Sequence, residues 1–232
     1  MVLHLNVPAQ QRLKNLLETF LPSCTEEFES LLQRTRAQIM GSFPLFCLED
    51  HWPSWIKPGD LDIFLCPKLP SLLQRDLHAF EQILDKCGYG PCVLGPAYDP
   101  FMQPNHGVPS MNVFTFIRGR APNTFQVQVI LYTGMSNSPT WHLQHMWAFD
   151  LSCCSVSYDG TSFHVTQDNL FPTTQASTIR RLNPSTTQRI EKYHQRGFTF
   201  VINPRRSTDD LIRSFPRVTD LVSLCALILS WR

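Results

Sequence analysis

Gly41, Ser42, Asp60 and Asp62 have residue types and spacing suited to metal and phosphate chemistry. All four lie in the stretch GSFPLFCLEDHWPSWIKPGDLDIFLC, Gly41 to Cys66. The run from Asp60 to Cys66 alternates as a strand does. A side-chain period of two sends the Asp60 and Asp62 carboxylates off one face, while Leu61 and Ile63 face the other way into a core. Two like charges side by side cost free energy unless a cation sits between them. A divalent ion such as Mg²⁺ suits the pair, because it takes oxygen ligands and keeps positions open for phosphate. Gly41-Ser42, a turn before a helix in which Pro44 fits the first turn, offers backbone N–H groups and a hydroxyl to an anion.

A Gly-Ser turn, a helix and then an Asp-x-Asp strand resembles the DNA polymerase β-like nucleotidyltransferase superfamily, with Gly41, Ser42, Asp60 and Asp62 in the matching positions. By element order the resemblance covers about residues 25–165, with sharp motif identity only over 41–66. It implies a metal-dependent nucleotidyltransferase that moves a nucleoside monophosphate from an NTP, such as ATP, to a hydroxyl on a protein, small molecule or RNA end. Gly41 and Ser42 would hold the triphosphate, and Asp60 and Asp62 would hold Mg²⁺ or Mn²⁺. Paired ions in such chemistry stabilise the attacking and leaving oxygens.

The family pattern asks for a third carboxylate on a neighbouring strand. The expected strand, Thr124 to Leu131, turns Phe125, Val127, Val129 and Leu131 to one face and Gln126 and Gln128 to the other. Glutamine is neutral and cannot act as a base. Asp150, opening the run FDLSCC, is the alternative as third ligand and base. Sequence does not rank the two strands. A catalytically inactive relative that binds nucleotide or a protein partner is therefore the second functional reading.

Further along, Arg189, Lys192 and Arg196 fall at i, i+3 and i+7 of a helix, on one face. The resemblance implies a helical second lobe that brings a cation to the triphosphate and an aromatic ring to the base. Lys192, Tyr193 and Arg196 are the candidates. Arg205-Arg206 is a weak phosphate-contact signal for a third reading, an RNA-binding module. His142 and His145 lie three apart without a carboxylate at a convincing spacing, and no P-loop or GxGxxG occurs.

The elements that must position these residues follow from periodicity and turn signals. Helices are expected over 9–20, 25–38 (after the capping box Ser23-x-x-Glu26), 69–87 and 184–196, with Asn183 as cap and Gly197 as stop. A short helix should start at Ser138-Pro139 and a last one after Pro216. Strands are expected over 60–66, 112–117 and 124–131, with a hairpin of 150–157 and 161–166 across Asp159-Gly160. The predicted fold is α/β: a mixed, mostly antiparallel sheet of about five strands with helices on one face. Residues 1–169 would form the catalytic domain and 170–232 a smaller helical lobe.

Composition bounds the rest. The chain has 232 residues, 43% hydrophobic and 17% charged, and a formal net charge of +1, which excludes a polycation that coats nucleic acid. The charge is uneven. From Leu170 onward ten Lys or Arg face four Asp or Glu, a net +6, which leaves −5 for residues 1–169. Cys24, Cys47, Cys66 and Cys225 sit in apolar runs, and no CxxC occurs, so the eight cysteines read as reduced, with the adjacent Cys153 and Cys154 on opposite faces of a strand. The N-terminus is too weakly apolar for a secretory signal. The longest apolar run, Leu221 to Trp231, is short of the ~20 residues that span a bilayer. An intracellular protein, cytoplasmic or nuclear and without a membrane partner, is expected.

Overall fold

A computed structural model describes residues 2–3, 7–48, 58–67, 69–95, 111–120, 123–132, 141–142, 146, 149–166, 176–179 and 186–202. The chain runs β1 (Val2–Leu3), α1 (Val7–Phe20), α2 (Thr25–Thr35), β2 (Gln38–Met40), α3 (Ser42–Leu48), β3 (Asp60–Leu65) and α4 (Leu73–Lys86). It continues through β4 (Val93–Gly95), β5 (Met111–Arg120), β6 (Asn123–Tyr132), β7 (Val156–Tyr158), β8 (Phe163–Val165), β9 (Ala176–Ile179), α5 (Thr186–His194) and β10 (Thr199–Ile202). The architecture is mixed α and β.

The main sheet has eight described strands, in the order β1-β8-β7-β2-β3-β6-β5-β4, rather than about five. β3 and β6 pair in parallel and the other neighbours are antiparallel. Alternation decides which side chains enter the core. Ile39, Leu61, Ile63, Val127, Val129 and Leu131 share one apolar cluster with Leu17 and Phe20 of α1, Phe28 and Leu32 of α2, and Phe80 and Leu84 of α4. Phe20 meets Phe43 and Phe125 edge-on, with centroids 5.5 and 5.4 Å apart. The other face of β2, β3 and β6 carries Met40, Phe64 and Ile130, which form a second, smaller cluster with Trp141 and Met146.

Several expected details are revised. α2 stops at Thr35 because Arg36 turns left-handed, at φ 60°, which frees Gln38 to start β2. Its N-cap is Cys24 without a side-chain cap. The expected box fails because Ser23 itself has φ 61°, and Glu18 instead accepts from Ser23 N at 2.8 Å and Thr25 Oγ1 at 3.1 Å. Beyond Leu170 the described residues are β9, α5 and β10, a β-α-β unit with parallel strands rather than helices alone. It is tied to the preceding segment by a Leu151–Ile179 bridge and by Cys153 N donating to Ser177 Oγ at 3.2 Å. The last expected helix, Asn183, Pro184, His145 and Arg205-Arg206 lie outside the described residues. No helix among those residues is long and apolar enough to cross a membrane.

The hairpin expected over 150–157 and 161–166 forms only as Val156–Tyr158 and Phe163–Val165, because Ser152–Cys154 is a 3-10 turn, and Gly160 makes its turn possible. Its φ is 95°, and a Cβ there would lie 2.6 Å from Glu29 O of α2. Gly160→Ala is expected to lower stability by on the order of 2 kcal/mol, read as a drop in Tm, because both strain and steric overlap act against it. An unchanged Tm would show that hairpin and α2 separate freely.

Candidate functional site

The site is built on the sheet face opposite the main core. Parallel register places Asp60 beside Gln126 and Asp62 beside Gln128, while Met40 of β2 lies across from Asp62 on the other side. Gly41 follows Met40 with φ 86°, a conformation that favours glycine, and its backbone turns against Asp62; a Cβ built there would lie 3.6 Å from Asp62 Oδ2. Ser42, the first residue of α3, points its hydroxyl at Asp60 Oδ1 at 3.4 Å. The four sequence-predicted residues are thus brought together.

Asp62 is under strong electrostatic load. Its Oδ1 is buried and has no hydrogen-bond partner among the described residues. Burial, and next the Asp60 charge, push its pKa up to about 8, although Arg189 and Lys192 pull the other way. An acid held this far above its ordinary range at a strand face is a functional-site signature.

The two cations come from α5. Arg189 and Lys192, three apart on one helix face, both act electrostatically on Asp62. Ile190 and Tyr193, also three apart, face the core. Tyr193 is 3% exposed, so the expected base platform is instead a packed core residue. Arg196 is 5% exposed and lies over the Tyr193 ring, 4.8 Å from its centroid. It leaves the expected basic face because α5 ends at His194 and the chain turns through Gly197, φ 92°.

Asp150 is committed elsewhere. It is 2% exposed; Oδ1 accepts from Leu151 N at 3.0 Å and Oδ2 accepts from Thr186 Oγ1 at 3.0 Å, with Arg189 Nε 3.5 Å from Oδ1. These bonds fasten the start of α5 to the segment before β7. No three His, Cys, Asp or Glu among the described residues form a group that could hold one ion.

Arg189 also donates to Cys154 Sγ at 3.1 Å. Cys153 and Cys154 sit on a 3-10 turn, not a strand, which puts their sulfurs 4.0 Å apart rather than on opposite faces. Burial alone would raise the Cys154 thiol, but the Cys153 hydrogen bond and the Arg189 charge outweigh it and hold it down to about 6. All seven described cysteines are free. The sequence places Arg189 on a basic helix face that could meet a triphosphate, and nothing in it marks the contact with Cys154. The available signal was the i, i+3 pair of cations out of phase with Ile190 and Tyr193.

Asp150→Ala is expected to destabilise the protein by on the order of 2–3 kcal/mol, since it removes the counter-charge of the half-buried Arg189 and unties Thr186. A Tm within a degree or two of wild type would contradict this.

No protein-family model matches the chain, and no curated protein matches it.

Proposed function

We propose that this protein binds a divalent cation, Mg²⁺ or Mn²⁺, together with the phosphates of a nucleoside triphosphate, at a nucleotidyltransferase-type site that holds the nucleotide without transferring it. One observation carries the reading. Asp60 and Asp62 share a face against the Gly41-Ser42 turn, and Asp62 Oδ1 is buried without a hydrogen-bond partner among the described residues. The donor set fits the ion, because two hard carboxylate oxygens beside a hydroxyl are magnesium chemistry. When bound, the ion would neutralise the Asp pair and bridge it to phosphate. Ser42 would donate its hydroxyl to a phosphate oxygen, and Lys192 and Arg189 would offset the remaining charge.

What supports retention over transfer is the neighbouring strand. Gln126 and Gln128 stand beside Asp60 and Asp62, and Asp150 is occupied by Leu151, Thr186 and Arg189. Among the described residues no third carboxylate joins the pair to take the proton from an acceptor hydroxyl. The second reading, transfer of a nucleoside monophosphate to a hydroxyl acceptor, draws on a different observation: both carboxylates are kept on a face where they repel each other.

A titration with ATP and GTP, with and without Mg²⁺, combined with a pyrophosphate assay, separates the two. The expected outcome is Mg²⁺-dependent binding with no pyrophosphate release. Release above an enzyme-free control establishes transfer instead, and no Mg²⁺-dependent binding overturns both.

A further inference from the structure

A second cavity, of about 300 Å³, opens on the β8 side of the sheet, and its lining includes Gln38, Trp141, His142, Asp159 and His164. Its polar groups are arranged in a way the nucleotide reading does not use. The His142 and His164 rings lie 5.1 Å apart, centroid to centroid, tilted by 59°. Asp159 Oδ2 lies 2.8 Å from His164 Nε2. The carboxylate accepts a hydrogen bond from Nε2–H, which leaves Nδ1 of the neutral ring as the lone-pair nitrogen and fixes the ring. Asp159 is itself anchored, since its Oδ1 accepts from Thr161 N and Ser162 N at 2.8 and 2.7 Å. Gln38, 5% exposed, contributes an amide Oε1 that is buried and without a hydrogen-bond partner among the described residues.

We propose that His142, His164 and the Gln38 amide oxygen form a binding site for a transition-metal dication of the zinc class. Two imidazoles bound to one ion at ~2.0–2.1 Å with a tetrahedral angle have ring centres about 5 Å apart, as these do. A carboxylate behind one ligating histidine is the usual outer-shell device that fixes tautomer and raises ligand basicity. The Gln38 oxygen is an acceptor that no other described residue satisfies, and burial makes that costly. Asp159 stands behind His164 rather than beside it, so the protein supplies two nitrogens and one oxygen, and water fills the remaining position. Nitrogen ligands select zinc, copper or nickel over magnesium, which distinguishes this site from the Asp60–Asp62 pair.

The test is a Zn²⁺ titration of the full chain by calorimetry in millimolar Mg²⁺, which keeps the Asp pair occupied. Co²⁺ then serves as a spectroscopic probe. The expected result is one Zn²⁺ per chain, with affinity reduced at least tenfold in His142→Ala and in His164→Ala. Co²⁺ should give visible d–d bands without the near-ultraviolet charge transfer that thiolate ligands produce. Asp159→Asn should weaken binding ~10–100-fold with the histidines intact. Melting curves of each variant confirm folding before titration. Absence of Zn²⁺ uptake, affinity unchanged in both histidine variants, or a thiolate charge-transfer band overturns the proposal.

Discussion

Asp62→Asn is expected to raise the Tm of the ion-free protein at pH 8 by roughly 5 °C and at the same time to remove its Mg²⁺-dependent nucleotide binding. The two effects have opposite signs because they come from one buried oxygen. Asp62 Oδ1 is shielded and has no hydrogen-bond partner among the described residues, and burial together with the Asp60 charge pushes its carboxyl up from 3.8 to about 8. The folded state therefore holds a proton that the unfolded chain has released across that interval. Stability is full below the unfolded value and falls as pH rises through the folded one. Above pH 8 the ionised side chain carries the whole cost. The full shift would correspond to roughly 5–6 kcal/mol, and relaxation with water entry reduces a realistic figure to about 2 kcal/mol.

Asparagine keeps the shape, removes the ionisation and abolishes that cost. Wild type and variant should melt together near pH 4 and diverge toward pH 8. Adding Mg²⁺ should close the gap by stabilising the wild type alone, as any ligand of the native state does. A variant that melts below wild type at pH 8 without ions would show that Asp62 is a structural anion, and the cation reading would go with it.

The parts of this site legible in sequence are those that local periodicity governs. DLDIFL and TFQVQVIL alternate cleanly, so the faces of Asp60, Asp62, Gln126 and Gln128 could be read residue by residue, and the structure keeps every one. That β3 and β6 are immediate parallel neighbours is tertiary information, fixed by the shared core of Ile63, Val127 and Val129. Strands of two or three residues, such as β1, β2 and β4, contain no full period, which is why the sheet reads narrower than it is.

On α5 the three-residue spacing was visible for both Arg189–Lys192 and Ile190–Tyr193. Only packing decides that Tyr193 turns inward and carries Arg196 with it. Asp150 was least legible. Its partner Thr186 is 36 residues away, and nothing local distinguishes a carboxylate that fastens a helix from one that binds a metal.

Gln128→Asp is the variant with the largest expected gain. Register puts residue 128 directly beside Asp62, on the same face. The native amide is weakly held, by a 3.5 Å contact of its Nε2 with Thr115 Oγ1, so little is lost on replacement. A third carboxylate here adds repulsion to a pair in which Asp62 already resists ionisation. Without ions at pH 8 the variant should lose on the order of 1–3 kcal/mol, the reverse of Asp62→Asn.

With Mg²⁺ the same charge becomes a ligand, and affinity for the ion should rise at least tenfold. It also supplies the base that glutamine cannot, so pyrophosphate release from a Mg²⁺-bound NTP with a hydroxyl acceptor should appear in the variant where wild type stays at the enzyme-free control. Gln128→Leu serves as control, since it removes the amide without adding charge and should change neither ion affinity nor turnover. If Gln128→Asp leaves Mg²⁺ affinity unchanged, β6 is not part of the site. If it tightens Mg²⁺ without turnover, the site lacks an acceptor pocket as well as a base, and retention of nucleotide is its whole function.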